Sequence, residues 1–393
     1  MPAGGPQARI GPRVNATGFP RCREAAAEFA SLAGLQQDRP VRMDDLQRAA
    51  ALRLPAPVIE YFDQGAGDSV STARAQAAWD RIALRPHTLR DVSRVSTATS
   101  VLGQQVAAPV LVAPTAMQRA AHPDGETATA RAVAAAGSLM TVSTNAGRTF
   151  EEIGAAGAPW WLQVYVLRDR GLTAAMLQRA RAAGASALVL TVDTPVVGRK
   201  YNAGPSVWDV VPGDFMLVNV PGQETLPAEA IDKADDLTPD IIGWLRECSG
   251  LPVVVKGVLR ADDARTAVSA GASAVQVSNH GGRQLDLAVA TADVLAEIVA
   301  AVEGSGAEVY VDGGIRRAEH VLAALALGAR AVFLGRPVLW ALAAGGASGQ
   351  GGSDGVADLL TGFADDLAQV MTLAGVRSPA EIGADLVSRS SSS

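Results

Sequence analysis

The segment Ser278-Asn-His-Gly-Gly-Arg-Gln-Leu-Asp286 sets an imidazole and a guanidinium three residues apart, with two glycines between them. An imidazole can take a proton near neutral pH, and a guanidinium fork can hold a carboxylate by two parallel hydrogen bonds. A histidine that merely caps the next helix is the competing reading. The chain has four histidines. His87 falls in a polar segment, His122 in a loop and His320 on a predicted helix, so His280 alone ends a predicted strand.

Two other segments suit an anion. Val311-Asp-Gly-Gly-Ile-Arg316 and Leu334-Gly-Arg-Pro337 each put glycine at a strand end before a helix, with Arg316 and Arg336 alongside. Backbone N–H groups and a helix dipole then face a phosphate; either segment alone is equally an ordinary turn. No G-x-G-x-x-G opens a Rossmann unit and no G-x-x-x-x-G-K-[ST] is present, so a phosphate-bearing flavin fits better than NAD or ATP.

These groups need a scaffold that gathers strand ends. Apolar runs over 109–116, 139–144, 160–166, 187–193, 252–258, 274–280, 308–314 and 331–337 read as strands of a parallel sheet covered on both faces. Amphipathic stretches over 126–136, 172–183, 261–270, 292–302 and 318–327 read as helices, several stopping at Gly137, Gly184, Gly271 or Gly328. Eight such units favour an α/β fold of the (β/α)8 TIM-barrel type over an open sheet. Residues 43–51 and 55–63 are predicted as short preceding helices, and the region of Val95, Val101 and Leu102 as a small hairpin. The long polar connection over 202–237, after the fourth strand, is expected to be a lid or disordered.

A chain of 393 residues with 48% hydrophobic content can bury one large core. The net charge of -6, with scattered basic residues, argues against nucleic acid as a partner. Cys22 and Cys248 stand far apart with no metal-like spacing; no metal is expected, and a reducing cytoplasm is the default. No apolar run is long enough to span a bilayer. Residues 1–42 are expected to be a flexible extension, 43–385 the barrel and 386–393 a polar tail.

SNHGGRQLD resembles the signature of the FMN-dependent 2-hydroxy acid oxidase and dehydrogenase family. Ala113-Pro-Thr-Ala-Met-Gln118, Ala121-His-Pro-Asp-Gly-Glu126, Leu190-Thr-Val-Asp-Thr-Pro195, Val255-Lys-Gly257 and Val311-Asp-Gly-Gly314 resemble further landmarks, in the family's order. The likeness runs from about residue 43 to about residue 380.

The resemblance implies an FMN enzyme that oxidises an L-2-hydroxy acid to the 2-oxo acid, with oxygen reoxidising the flavin to give peroxide. It makes His280 the base and Asp193 its partner. Arg283 and Tyr61 would hold the substrate carboxylate, Tyr165 the substrate oxygen, and Lys256 would stabilise the reduced flavin. Pro114, Thr115, Ala116, Ser143, Gln163, Thr191 and Ser278 would line the cofactor site. Asp312, Gly313, Gly314, Arg316, Gly335 and Arg336 would meet the ribityl phosphate. Read without the resemblance, packing is the competing reading for Tyr61 and Tyr165, a turn for Asp193 and a rim lysine for Lys256.

Three positions depart from the pattern. Lys200 stands where the family has an arginine that assists carboxylate binding, with Arg199 as the other candidate for that role. Phe62 replaces the second of a tyrosine pair. Asn145 stands where glycolate-oxidising members carry tryptophan, which suggests room for a larger or aryl side chain. A dehydrogenase serving a quinone or protein acceptor is the close alternative, and a non-catalytic flavin-binding barrel a remote one. By analogy with the family, a homo-oligomer, a tetramer, is expected.

Overall fold

Eight parallel strands close on themselves into a barrel. The computed structural model describes residues 42–201, 204–222, 227–344 and 352–389. The expected extension over 1–42 lies, but for Arg42, outside the described residues.

Ahead of the barrel come helices α1 (Met43–Arg53), α2 (Ala56–Asp63) and α3 (Val70–Asp80), strand β1 (Ile82–Leu84) and the hairpin of β2 (Thr99–Val101) and β3 (Gln104–Val106). The barrel then alternates strands and helices. Its first half comprises β4 (Val110–Val112), α4 (Gln118–Ala121), α5 (Glu126–Ala135), β5 (Met140–Val142), α6 (Phe150–Gly154), β6 (Trp160–Val164), α7 (Arg170–Ala182) and β7 (Ala185–Thr191). After a long connection holding α8 (Ala228–Ile231) come α9 (Asp240–Ser249), β8 (Val253–Val258), α10 (Ala261–Ser269), β9 (Ala274–Val277) and α11 (Thr291–Val302). Next are β10 (Glu308–Asp312), α12 (Ala318–Ala326), β11 (Ala331–Leu334), α13 (Arg336–Ala344), α14 (Gly352–Ala374) and β12 (Val387–Arg389).

The barrel strands are short and buried almost throughout, as expected for strands covered on both faces. Gly137, Gly184, Gly271 and Gly328 each end a helix at positive φ, the conformation their position calls for. Three findings differ from the sequence reading. Helix α3 was not expected, because its small residues Ala75 and Ala78 leave Trp79 as the one large apolar anchor. Residues 387–389, expected within a polar tail, form β12 and pair antiparallel with β1. The connection after β7 is not featureless: it carries α8 and is hydrogen-bonded to the chain that leaves β6.

Side chains alternate across a strand, so residues two apart share a face. On the barrel's inner face Trp161, Val189, Val254, Ala274 and Tyr310 form one apolar plug with Phe333. Two residues further on, the same faces carry Gln163, Thr191, Lys256, Gln276 and Asp312, all buried. The interior thus changes from apolar to polar within one layer, toward the carboxyl ends of the strands.

Candidate active site

His280 follows β9 in a short turn, and its backbone takes the left-handed conformation at φ 58. Asn279 holds this turn by accepting from Gly282 N at 3.1 Å. Non-glycine residues adopt this conformation at a cost that functional sites commonly bear. The result turns the imidazole back over the strand ends. Its Nδ1 lies 2.9 Å from Asp193 Oδ1 and 3.3 Å from Thr194 Oγ1. Nε2 has no hydrogen-bond partner among the described residues, and the ring lines a cavity with Tyr61, Lys256, Arg283 and Arg336.

Asp193 reaches His280 because residue 257 is glycine: a Cβ there would sit 2.7 Å from Asp193 Cβ. Burial pushes the Asp193 carboxyl up, but Lys256 and His280 outweigh it and hold it at about 2. Burial drives the His280 imidazole down, with the Lys256 and Arg283 charges assisting and Asp193 opposing. At neutral pH the pair is therefore a carboxylate beside a neutral imidazole, the form able to accept a proton.

Arg283 is anchored by one arm. Its Nη1 donates to the carbonyls of Tyr61, Phe62 and Gln64 at 2.8, 3.0 and 2.9 Å, at the end of α2. Its guanidinium carbon stands 5.1 Å from the centre of the Tyr61 ring. Lys200 is half-buried and its ammonium is depressed by burial and by the Arg283 charge, whereas Arg199 is exposed. Of the two candidates, Lys200 is the one that feels Arg283. Tyr165 is pushed up by burial and by the Asp193 charge, with the Thr194 hydroxyl opposing, so its phenol keeps its proton.

Lys256 donates to Ser278 Oγ at 2.8 Å and lies 3.5 Å from Asp312 Oδ2. Asp312 takes Ser278 Oγ on Oδ1 at 2.8 Å and Gln276 Nε2 on Oδ2 at 2.7 Å. Asp312 thereby anchors Lys256, and it lines the same cavity as His280 and the Gly313-Gly314 turn.

The residues expected at the phosphate end lie together. Gly313, Gly314, Arg316, Gly335 and Arg336 line the same cavity as His280, with Pro114, Thr115 and Ala116. Trp79 of α3 fixes this end by donating to Gly313 O at 2.8 Å. Burial, then the neighbouring Arg283 and Arg316, depress Arg336 to about 9. Burial depresses Arg316 to about 10. Arginines crowded in this way call for an anion. Arg336 Nη2, Gln163 Nε2 and Thr191 Oγ1 are buried and unpartnered. Buried donors are rarely left so, and a flavin's phosphate and ring edge would supply the acceptors they lack. The residues present fit FMN.

Ser143 bonds Gln163 Oε1 at 3.1 Å and so orients that amide. Asn145 and Tyr165 line a second chamber with Val197, Trp208, Met216 and Leu217. The other histidines are structurally engaged: His87 with Asp385 at 3.0 Å, His122 with Asp124 N at 3.2 Å, and His320 with Asp80 at 3.0 Å. Cys22 lies outside the described residues. Among those described there is no cluster able to hold a metal ion and no helix long and apolar enough to cross a membrane.

Sequence reasoning missed Thr194, Gln276 and Asp286. Asp286 accepts from Asp68 N and Ser71 N at 3.0 and 2.8 Å and so ties the histidine segment to the start of α3. An acidic residue aligned with helical N–H groups was the available signal, but α3 itself went unread.

The family profile described as FMN-dependent dehydrogenase matches residues 50–389. L-lactate oxidase of Nostoc sp. is 45% identical over 328 residues, covering 79% of this chain and 89% of that protein. Glycolate oxidase of Spinacia oleracea is 40% identical over 355 residues, covering 86% and 93%. A crystal structure of mandelate oxidase superposes with a TM-score of 0.79 at 41% identity, covering 88% of this chain and 98% of that one. The chain belongs to the FMN-dependent dehydrogenase family and is an FMN-dependent oxidoreductase of 2-hydroxy acids.

Proposed function

We propose that His280 accepts the proton released when an L-2-hydroxy acid is oxidised to the 2-oxo acid. The observation that carries this reading is the Asp193–His280 contact of 2.9 Å, with Nε2 left open to a cavity shared with Arg283 and Lys256. Asp193 is ionised and stabilises the imidazolium that forms. Arg283, with one arm clamped on α2, offers its remaining N–H groups to the substrate carboxylate, aided by Tyr61 and Lys200. Tyr165, protonated and partly buried, donates toward the substrate oxygen. Ala116, Ser143, Gln163, Thr191 and Lys256 meet the ring, and Gly314, Arg316, Gly335 and Arg336 the phosphate. FMN, when bound, supplies a two-electron acceptor that oxygen regenerates with release of peroxide.

The similar proteins are oxidases, which supports oxygen over a quinone or protein acceptor. The chamber beside Asn145 and Trp208 supports a 2-hydroxy acid with a bulky or aryl side chain. The enzyme is assigned to a reducing cytoplasm and to a tetrameric assembly, which light scattering would test.

The decisive test is His280→Asn. It retains FMN and slows anaerobic flavin reduction by mandelate or lactate about a thousandfold, within the range of a general base. Unchanged reduction would remove His280 from this role. Mixing the reduced wild-type enzyme with oxygen tests the acceptor, and negligible reoxidation would favour the dehydrogenase.

A further inference from the structure

Beyond Pro227 the connection after β7 runs back alongside the chain that leaves β6. Ala234 N donates to Val166 O at 2.8 Å, Arg168 N to Asp232 O at 2.9 Å, and Asp169 N to Ala230 O at 3.3 Å. An antiparallel bridge pairs Leu167 with Lys233. The segment is thus strapped to the chain just beyond Tyr165, and it delivers Lys233. The ammonium stands 3.7 Å from the centre of the Tyr165 ring. Among the described residues it has no carboxylate within ion-pair distance. A desolvated ammonium over an aromatic face is held by the ring's quadrupole, and its field favours release of density from the phenol oxygen. A strap that places a cation on the face of a substrate-binding phenol is more than a surface loop requires.

We propose that Lys233, in its charged form, is a positioning residue for Tyr165: it fixes the ring and strengthens the phenol as a hydrogen-bond donor to the substrate. The inference rests on the role given to Tyr165 above.

The charged and titratable groups facing Lys233 are few. Tyr165 lies beneath it and Asp193 attracts it from the end of β7. Asp232, Asp235 and Arg168 flank it on the strap side, Asp235 being paired with Arg168 at 3.5 Å, and Asp263 faces it from α10. Burial brings the ammonium down to about 8, against the pull of Asp193. The charge is present below that pH and lost above it, so the support given to Tyr165 fades on the alkaline side.

The holoenzyme provides the test, read as the anaerobic rate of flavin reduction by mandelate or lactate between pH 6.5 and 9.5. The wild-type rate is expected to fall above about pH 8 as the ammonium is lost. Lys233→Met slows reduction roughly tenfold at pH 7 and removes that fall. Lys233→Arg keeps the rate and moves the fall to higher pH, because a guanidinium stays charged. Lys233→Met added to Tyr165→Phe brings no further loss.

A Lys233→Met rate equal to wild type overturns the proposal. So does a Lys233→Arg enzyme as slow as the methionine variant, which marks a merely structural role. Should the methionine variant fail to fold, an alkaline fall that stays in place in Lys233→Arg is equally fatal. If Tyr165→Phe alone reduces at the wild-type rate, the reading of Tyr165 fails first, which separates the two failures.

Discussion

The two ends of the barrel interior answer opposite demands. At the amino end, Trp161, Tyr310 and Phe333 pack with ring centres 5.6 to 5.9 Å apart, closed over by the hairpin residues Val101 and Val106. Two polar side chains there are engaged by the chain: Tyr310 donates to Glu308, and Glu308 also accepts from Leu102 N at 3.2 Å. At the carboxyl end, one layer away, Gln163, Thr191 and Arg336 keep buried donors without partners. The lesson is a division of labour along each strand. One end is finished by the chain itself, and the other is finished by what binds.

The sharpest way to break this contrast is Trp161→Ala. It empties the plug and costs about 3–5 kcal/mol of stability, measured by denaturant unfolding. The folded fraction should still reduce its flavin at the wild-type rate; a slowed rate would mean that the two ends are not independent.

Arg336→Leu works from the other side. It removes a buried charge from a crowded cationic group, so the flavin-free protein should be no less stable. FMN retention should weaken by roughly 1.5–3 kcal/mol, the worth of a hydrogen bond to a charged group, read by fluorescence as flavin is released. Unchanged FMN affinity would exclude Arg336 from the phosphate site.

A third test concerns Glu126. Its Oε1 accepts from Gly147 N at 3.1 Å, and burial raises its carboxyl to about 7 against 4.5 when unfolded. A raised folded pKa gives stability that is full below 4.5 and lost as pH rises through about 7. Glu126→Gln should flatten the dependence of Tm on pH between 5 and 8. An unaltered profile would assign that dependence to other groups.

What the sequence discloses and what it hides follow from where the chemistry is written. His280, Asp193, Lys256 and Gln163 were legible because each is a polar residue at or near the end of an apolar strand, and strand ends converge in a barrel. The arms of Arg283 and Arg336 were legible as charges but not as geometry. Arg283 Nη1 is held by three carbonyls, and a carbonyl is carried by every residue type. Helix α3 was hidden because alanines give no apolar stripe. Lys233 was hidden because a strap between connections has no period. The contacts of Asp312 were hidden because its neighbours in sequence are two glycines, while its neighbours in space are Gln276, Ser278 and Lys256.

The carbonyl oxygen of Phe62 receives Arg283 Nη1 at 3.0 Å and Arg336 Nε at 3.1 Å. Two cationic arms, one proposed for the substrate and one for the cofactor, thereby stand on a single footing, and that footing belongs to a helix preceding the barrel. Eight strands closed in a ring would still leave both arms unsupported. Competence arrives only when the prelude to the barrel has docked against its mouth, so fraying of one helical turn would loosen both grips at once.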